Sequence, residues 1–154
     1  MIFLRIRRKL RRPLRLSGKA WDRTASLALG QAVKAVVTVR AFTKGLDTDD
    51  RPFAPYTPSY LAKRLASGRG ARVNLTWTGT LSRSLRIKSA SKTRLVVGLG
   101  ASAARYGTHV NAARQFMGLS PSDMRFLRKV IRRLARDALV RARGKVVSKG
   151  GKVK

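Results

Sequence analysis

The sequence predicts an α+β domain in which a small antiparallel sheet packs against a long N-terminal helix and a C-terminal basic amphipathic helix. Three observations predict it. Apolar residues recur at helical spacing after Ser17, apolar and cationic residues alternate from Leu85 into a run ending at Gly100, and a capped apolar stripe begins at Pro121. At 154 residues the chain can build one core with little material left for a second. Three segments follow: a basic arm over 1–16, a single domain over 17–143 and a basic flexible tail over 144–154.

Taken in order, the arm reads RIRRKLRRPLR over 5–15, with seven cations around Pro13 and no acid. Such a block stays solvated until a polyanion orders it, so Arg5, Arg7, Arg8, Lys9, Arg11 and Arg12 are candidate contacts to nucleic acid. A helix over 17–43 is then expected, with Ser17 as N-cap and Gly45 as stop signal. Trp21, Ala25, Ala28, Leu29, Ala32, Val36 and Val39 would form its core side, opposite Arg23, Gln31, Lys34 and Thr38. Valine lowers helix propensity in its second half, so burial must hold it.

Gly45, Pro52, Pro55 and Pro58 forbid a continuous helix through the next stretch, while Phe53, Tyr56 and Tyr60 give the loop apolar groups to bury. Asp47, Asp49 and Asp50 match part of a calcium loop, but the sixth-position Gly and the terminal Glu are missing, so they are read as counter-charges to neighbouring Arg. A short helix over 60–65 and a turn over 67–72 lead to strands at 73–77 and 80–88, the latter alternatively a strand with a short helix. Residues 93–100 would pair back as a hairpin. Gly98 and Gly100 lack the third Gly, the acid and the Lys of a nucleotide loop, which excludes that site.

The last helix carries the clearest local signal. Ser120, Pro121 and Asp123 stand as N-cap, first helical residue and third-residue acid. Met124, Leu127, Val130, Ile131, Leu134 and Ala138 make an apolar stripe, with Arg125, Arg128, Lys129, Arg132 and Arg136 opposite as candidate polyanion contacts. Asp137 is expected to pair with Arg133 and Arg141 at i,i+4.

Charge decides the function class. Thirty-six Lys and Arg face 6 acids, all Asp, for a formal net charge of +30. A compact body so charged repels itself, so a nucleic acid, an anionic membrane surface or an acidic protein is expected beside it. The absence of Cys excludes disulfides, thiolate zinc sites and cysteine nucleophiles. No run of about 18 uncharged apolar residues is present, so no membrane span is expected. One His and no Glu make a poor inventory for proton or acyl transfer. His109 beside Tyr106 is read as packing, and no catalytic residue, metal or cofactor is expected. With no helix-turn-helix, zinc-finger or aromatic RNA-binding signature, the expected contact is to the phosphate backbone, sensitive to salt and insensitive to sequence.

Four phrases then carry a resemblance. Phe53-Ala54-Pro55-Tyr56 precedes Thr78-Gly79 with Leu81 and Ser84; Tyr106 and His109 follow; Arg114, Phe116, Met117, Gly118, Leu119 and Ser120 complete the order. Over roughly 17–140 the chain resembles the tail-completion or virion morphogenesis proteins of tailed bacteriophages. The interval from His109 to Arg114 is shorter than in that family, and the arm lies outside the resemblance. The resemblance implies a non-enzymatic neck protein that completes the head-proximal end of the tail and joins it to the head connector. It also implies a ring, expected to hold six copies, against the tail terminator and the head-tail connector, with DNA in the channel. Such a protein would be assembled in the host cytoplasm and located in the virion. The motif residues Phe53, Pro55, Thr78, Gly79, Leu81, Tyr106, His109, Arg114, Phe116, Gly118 and Ser120 would be structural. Two other readings share the charge: a sequence-nonspecific nucleic-acid binder of ribosomal or nucleoid type, and a protein of anionic membrane surfaces using the basic helix.

Overall fold

A computed structural model describes residues 3–6 and 22–149, with side chains from 22 to 141. The arm residues Arg7, Arg8, Lys9, Arg11 and Arg12, the expected cap Ser17, Trp21 and the last part of the tail lie outside the described residues.

The α+β class is observed. Strand β1 (Phe3–Ile6) precedes α1 (Arg23–Val37), which continues as a π-helical segment over Thr38–Lys44. Then come α2 (Pro58–Ala66), α3 (Thr80–Arg83), β2 (Leu85–Ala90), β3 (Leu95–Leu99), α4 (Ala101–Ala113) and α5 (Pro121–Lys149). The sheet is antiparallel in the order β1-β3-β2.

The expected hairpin forms between β2 and β3, where Leu85 faces Leu99 and Ile87 faces Val97; a shift between Ile87 and Ser89 then bulges the edge strand at Lys88. Its turn closes through the Ser91 N–H on the Arg94 carbonyl at 2.8 Å. Alternation puts Leu95, Val97 and Leu99 on one face. There α1 approaches Leu95 and Ile87 at Gly30, and α4 approaches Leu99 at Gly107, so helices cover that face of the sheet. A Cβ on Gly107 would stand 2.0 Å from Leu99 Cδ1, so α4 can lie this close only without one.

Several expectations are corrected. The first residues of the arm are not free: Phe3–Ile6 pairs with β3, Arg5 opposite Val96. Helix α1 starts at Arg23 rather than Ser17, because Asp22 accepts the Ala25 N–H at 2.8 Å as N-cap. The stop at Gly45 holds, with φ of 73°. The expected core side of the first helical rod holds in part: Ala25 and Leu29 are buried and Ala32 and Val36 pack against the core, but Val33, Val37, Arg40 and Ala41 are buried as well, whereas Ala28 is exposed and Val39 is 47% exposed. Arg23–Lys44, at 22 residues, is long and apolar enough by length and composition to cross a membrane, contrary to expectation; half of its most apolar window is buried inside the fold.

Residues 73–77 form no strand and run as irregular chain, with Leu75 at φ of 53°. Residues 101–113, given no element by the sequence reading, form α4. The tail expected to be flexible from 144 continues α5 to Lys149. Asp137 has neither Arg133 nor Arg141 within 4.0 Å, and the one ion pair among the described residues is elsewhere.

Candidate functional site

The basic face is built from the helix start outward. Ser120 Oγ accepts the Asp123 N–H at 3.1 Å and Asp123 Oδ2 accepts the Ser120 N–H at 3.1 Å, a reciprocal cap with Asp in place of Glu. Asp50, in the loop before α2, adds a second carboxylate: Oδ2 accepts from the Ser122 N–H at 3.0 Å and Oδ1 from its hydroxyl. Two carboxylates thus sit where the helix dipole is positive. Burial raises the Asp50 pKa, but the hydrogen bonds from Ser122 and Ser120 and the charge of Arg40 outweigh it, and the net shift is downward. Of the acidic triplet, Asp50 caps α5, while Asp47 Oδ1 closes its own loop by accepting the N–H groups of Asp49 and Arg51 at 2.8 and 2.9 Å; none of the three is within 4.0 Å of a cation among the described residues, contrary to the expected pairing with neighbouring Arg. No group of three His, Cys, Asp or Glu that could hold a metal occurs among the described residues.

Helix α5 lies antiparallel to α1, with Asp123 at Arg40 and Arg141 in the field of Asp22. Leu127, Ala135 and Ala138 are buried. Arg125, Arg128, Lys129, Arg132 and Arg136 are all exposed, as expected. At 3.6 residues per turn these five fall within about 100° of the circumference over about 16 Å, and Asp137 points well away from that arc. None has a carboxylate partner within 4.0 Å among the described residues. Of the arm's candidates only Arg5 is described, by its backbone in β1.

The motif residues gather at two places. One centres on Arg40, which the sequence reading passed over. Its Nε meets Asp123 Oδ2 at 2.8 Å, one terminal nitrogen donates to the Leu46 carbonyl at 3.0 Å, and the other donates to the carbonyls of Phe116 and Gly118 at 3.0 and 2.8 Å. Arg40 and Asp123 are 3% and 5% exposed, so one guanidinium ties α1, the acidic loop and the start of α5 in a dry interior. Phe116 is fully buried in the core and packs edge-on against Phe42 at 5.7 Å, anchoring its loop to the π-helical end of the first rod. The available signal was a lone Arg in the phase of Val33 and Val37.

The second place is an open groove of about 870 Å³ between α4 and the segment from Tyr56 to Leu81. Thr78, Gly79, Leu81, Tyr106, His109 and Arg114 line it. Gly79 takes φ of 76° before α3, a left-handed turn. Phe53 is buried and Pro55 is exposed, its carbonyl accepting from Arg114 at 3.4 Å. Tyr106 and His109 are exposed on α4 rather than packed inside, and among the described residues no hydrogen bond orients the His109 ring. Tyr56, Tyr60 and Trp77 pack with Arg64, Arg69 and Arg114 along the wall. Comparisons with models of known protein families, with curated proteins and with solved structures found no match.

Proposed function

We propose that the protein belongs to the class of non-enzymatic structural proteins that lie against a polyanion, here DNA. Within that class the reading is a tail-completion protein of a phage neck, a ring component between the tail and the head connector. The observation that carries the class is the row of five exposed cations on α5 without a carboxylate beside it. Phosphates would neutralise such a row without reading bases.

The narrower reading rests on the ordered phrases from Phe53 to Ser120. Their places in the fold suit scaffolding: a left-handed turn at Gly79, a core anchor at Phe116, carbonyls held by Arg40 and a cap at Ser120. Native mass spectrometry of the full chain with a short DNA duplex tests the narrower reading. A species of six chains is expected; a chain that stays monomeric on DNA supports the ribosomal or nucleoid type instead.

A further inference from the structure

The geometry points to the groove beside α4 as a docking site for an acidic peptide segment of a protein partner, carrying an aromatic or aliphatic anchor. This goes beyond the DNA-facing reading, because it concerns a different surface and different recognition chemistry.

The size fits a short side-chain-bearing segment, since binding clefts run from roughly 300 to 1,000 Å³ and this one is about 870 Å³. Leu75, Leu81, Ala103 and Val110 supply an apolar floor for an anchor. Tyr106, at 62% exposure, leaves a large ring uncovered at the edge.

Charge selects the occupant. The titratable groups on the lining, apart from tyrosines, are Lys63, His109 and Arg114, and no carboxylate lines the groove. Arg114 donates to the Ala54 and Pro55 carbonyls at 3.2 and 3.4 Å, while its Nε is buried without a partner. Its positive charge therefore has no carboxylate within 4.0 Å among the described residues. The chain's own termini cannot supply one, since both 5–15 and 144–154 are cationic without acids. A second copy brings the same excess of 36 cations over 6 acids, so a foreign anionic segment is required.

Between an acidic peptide and a single nucleic-acid strand, the aromatic faces decide. Strand binding needs open ring faces on which bases stack. Tyr56 is instead faced by Arg64 at 4.9 Å and Arg114 at 5.3 Å, and Trp77 by Arg69 at 4.3 Å and Arg64 at 5.8 Å. Tyr56, Tyr60 and Trp77 thus pack on one another and on guanidinium groups, and Tyr106 stands apart on α4 as a single uncovered ring rather than one of a row, so the groove offers an apolar seat with cations at its edge, which suits a carboxylate-bearing peptide.

The test uses the full chain and a fluorescent nine-residue probe of Asp and Glu around a central Phe, at about 0.15 M ionic strength. Excess duplex DNA is added to occupy α5, and a parallel titration omits it, so failure of the DNA reading leaves the peptide result legible. Saturable binding is expected, weakened about tenfold by Tyr106→Ala, which changes no charge, and similarly by Lys63→Gln. Both positions are exposed, so both variants should fold. Arg128→Ser with Arg132→Ser should leave peptide binding unchanged. The proposal is overturned if the groove variants bind like the parent, if an Asn/Gln analogue of the probe binds equally, if no saturation is reached, or if an oligothymidylate of equal length binds more tightly at the same residues.

Discussion

Arg40 and Asp123 stand 83 positions apart in the chain and meet at 2.8 Å, with both side chains nearly sealed from water. Three of the four remaining N–H groups of Arg40 donate to the backbone carbonyls of Leu46, Phe116 and Gly118, so most of its hydrogen-bonding capacity is met inside the fold. Asp123 serves the same centre and the cap of α5 at once.

Removing one partner leaves an uncompensated buried charge, which costs about 3–5 kcal/mol. Arg40→Met and Asp123→Ala should each lower stability by that order in urea titrations. Ser120→Ala, which removes only the hydroxyl half of the cap, should cost about 1 kcal/mol. The double variant Arg40→Met with Asp123→Leu should be less damaging than the sum of the singles.

Two glycines differ in what they can tolerate. Gly45 has φ of 73°, and a Cβ there would stand 2.1 Å from the Val73 carbonyl oxygen, part of a backbone that cannot rotate away. Gly45→Ala should cost more than about 2 kcal/mol. At Gly107 the obstacle is a Leu99 methyl, so Gly107→Ala should cost about 1–3 kcal/mol and be partly rescued by Leu99→Val. Thermal melts of the three variants check both statements.

Acid sensitivity follows from two carboxylates. Asp22 is held below its ordinary 3.8 by the Ala25 N–H, with the charge of Arg141 assisting. Asp50 is held below it by the Ser122 and Ser120 bonds against the opposing effect of burial. A lowered folded-state pKa contributes stability that is complete above the unfolded value and is lost as pH falls through the folded one. Stability should therefore decline below about pH 4, and Asp50→Asn should flatten that decline in urea titrations at stepped pH.

On the proposed reading, the arm and α5 contribute separately to DNA contact. Replacing Arg7, Arg8, Arg11 and Arg12 with Ser should spare the fold and weaken DNA binding; loss of the native circular-dichroism spectrum would place those positions in the structural core. Arg125→Ser with Arg132→Ser should weaken binding about equally for unrelated duplex sequences while leaving the melting temperature within a few degrees, since both side chains are exposed.

The elements with strong local chemistry were legible in the sequence. Ser120-Pro121-Asp123 fixed the start of α5, Gly45 the end of the first helical rod, and Leu85 to Gly100 the hairpin. The buried phase of α1 was legible only in part: Ala25 and Leu29 were placed inside, but Ala and Val lie on several sides and Arg40 was given no place, since only the distant Asp123 makes its burial affordable in free energy. Strand β1 was hidden inside a cationic run whose pairing with β3 is a tertiary fact. Helix α4 lacked periodicity because Gly107 is buried for want of a side chain rather than for an apolar one. The five cations of α5 were foreseen at the surface, whereas the groove is lined from α4 and from a loop, Leu75 to Gly79, that has no local signature.

The most direct test is the salt dependence of duplex DNA binding by the full chain, followed by fluorescence anisotropy between about 50 and 200 mM salt. Log affinity should fall linearly and steeply with log salt, alike for unrelated sequences, and removing each α5 cation should reduce the slope by about one. Affinity that does not change with salt, or that selects one sequence sharply, would contradict the account.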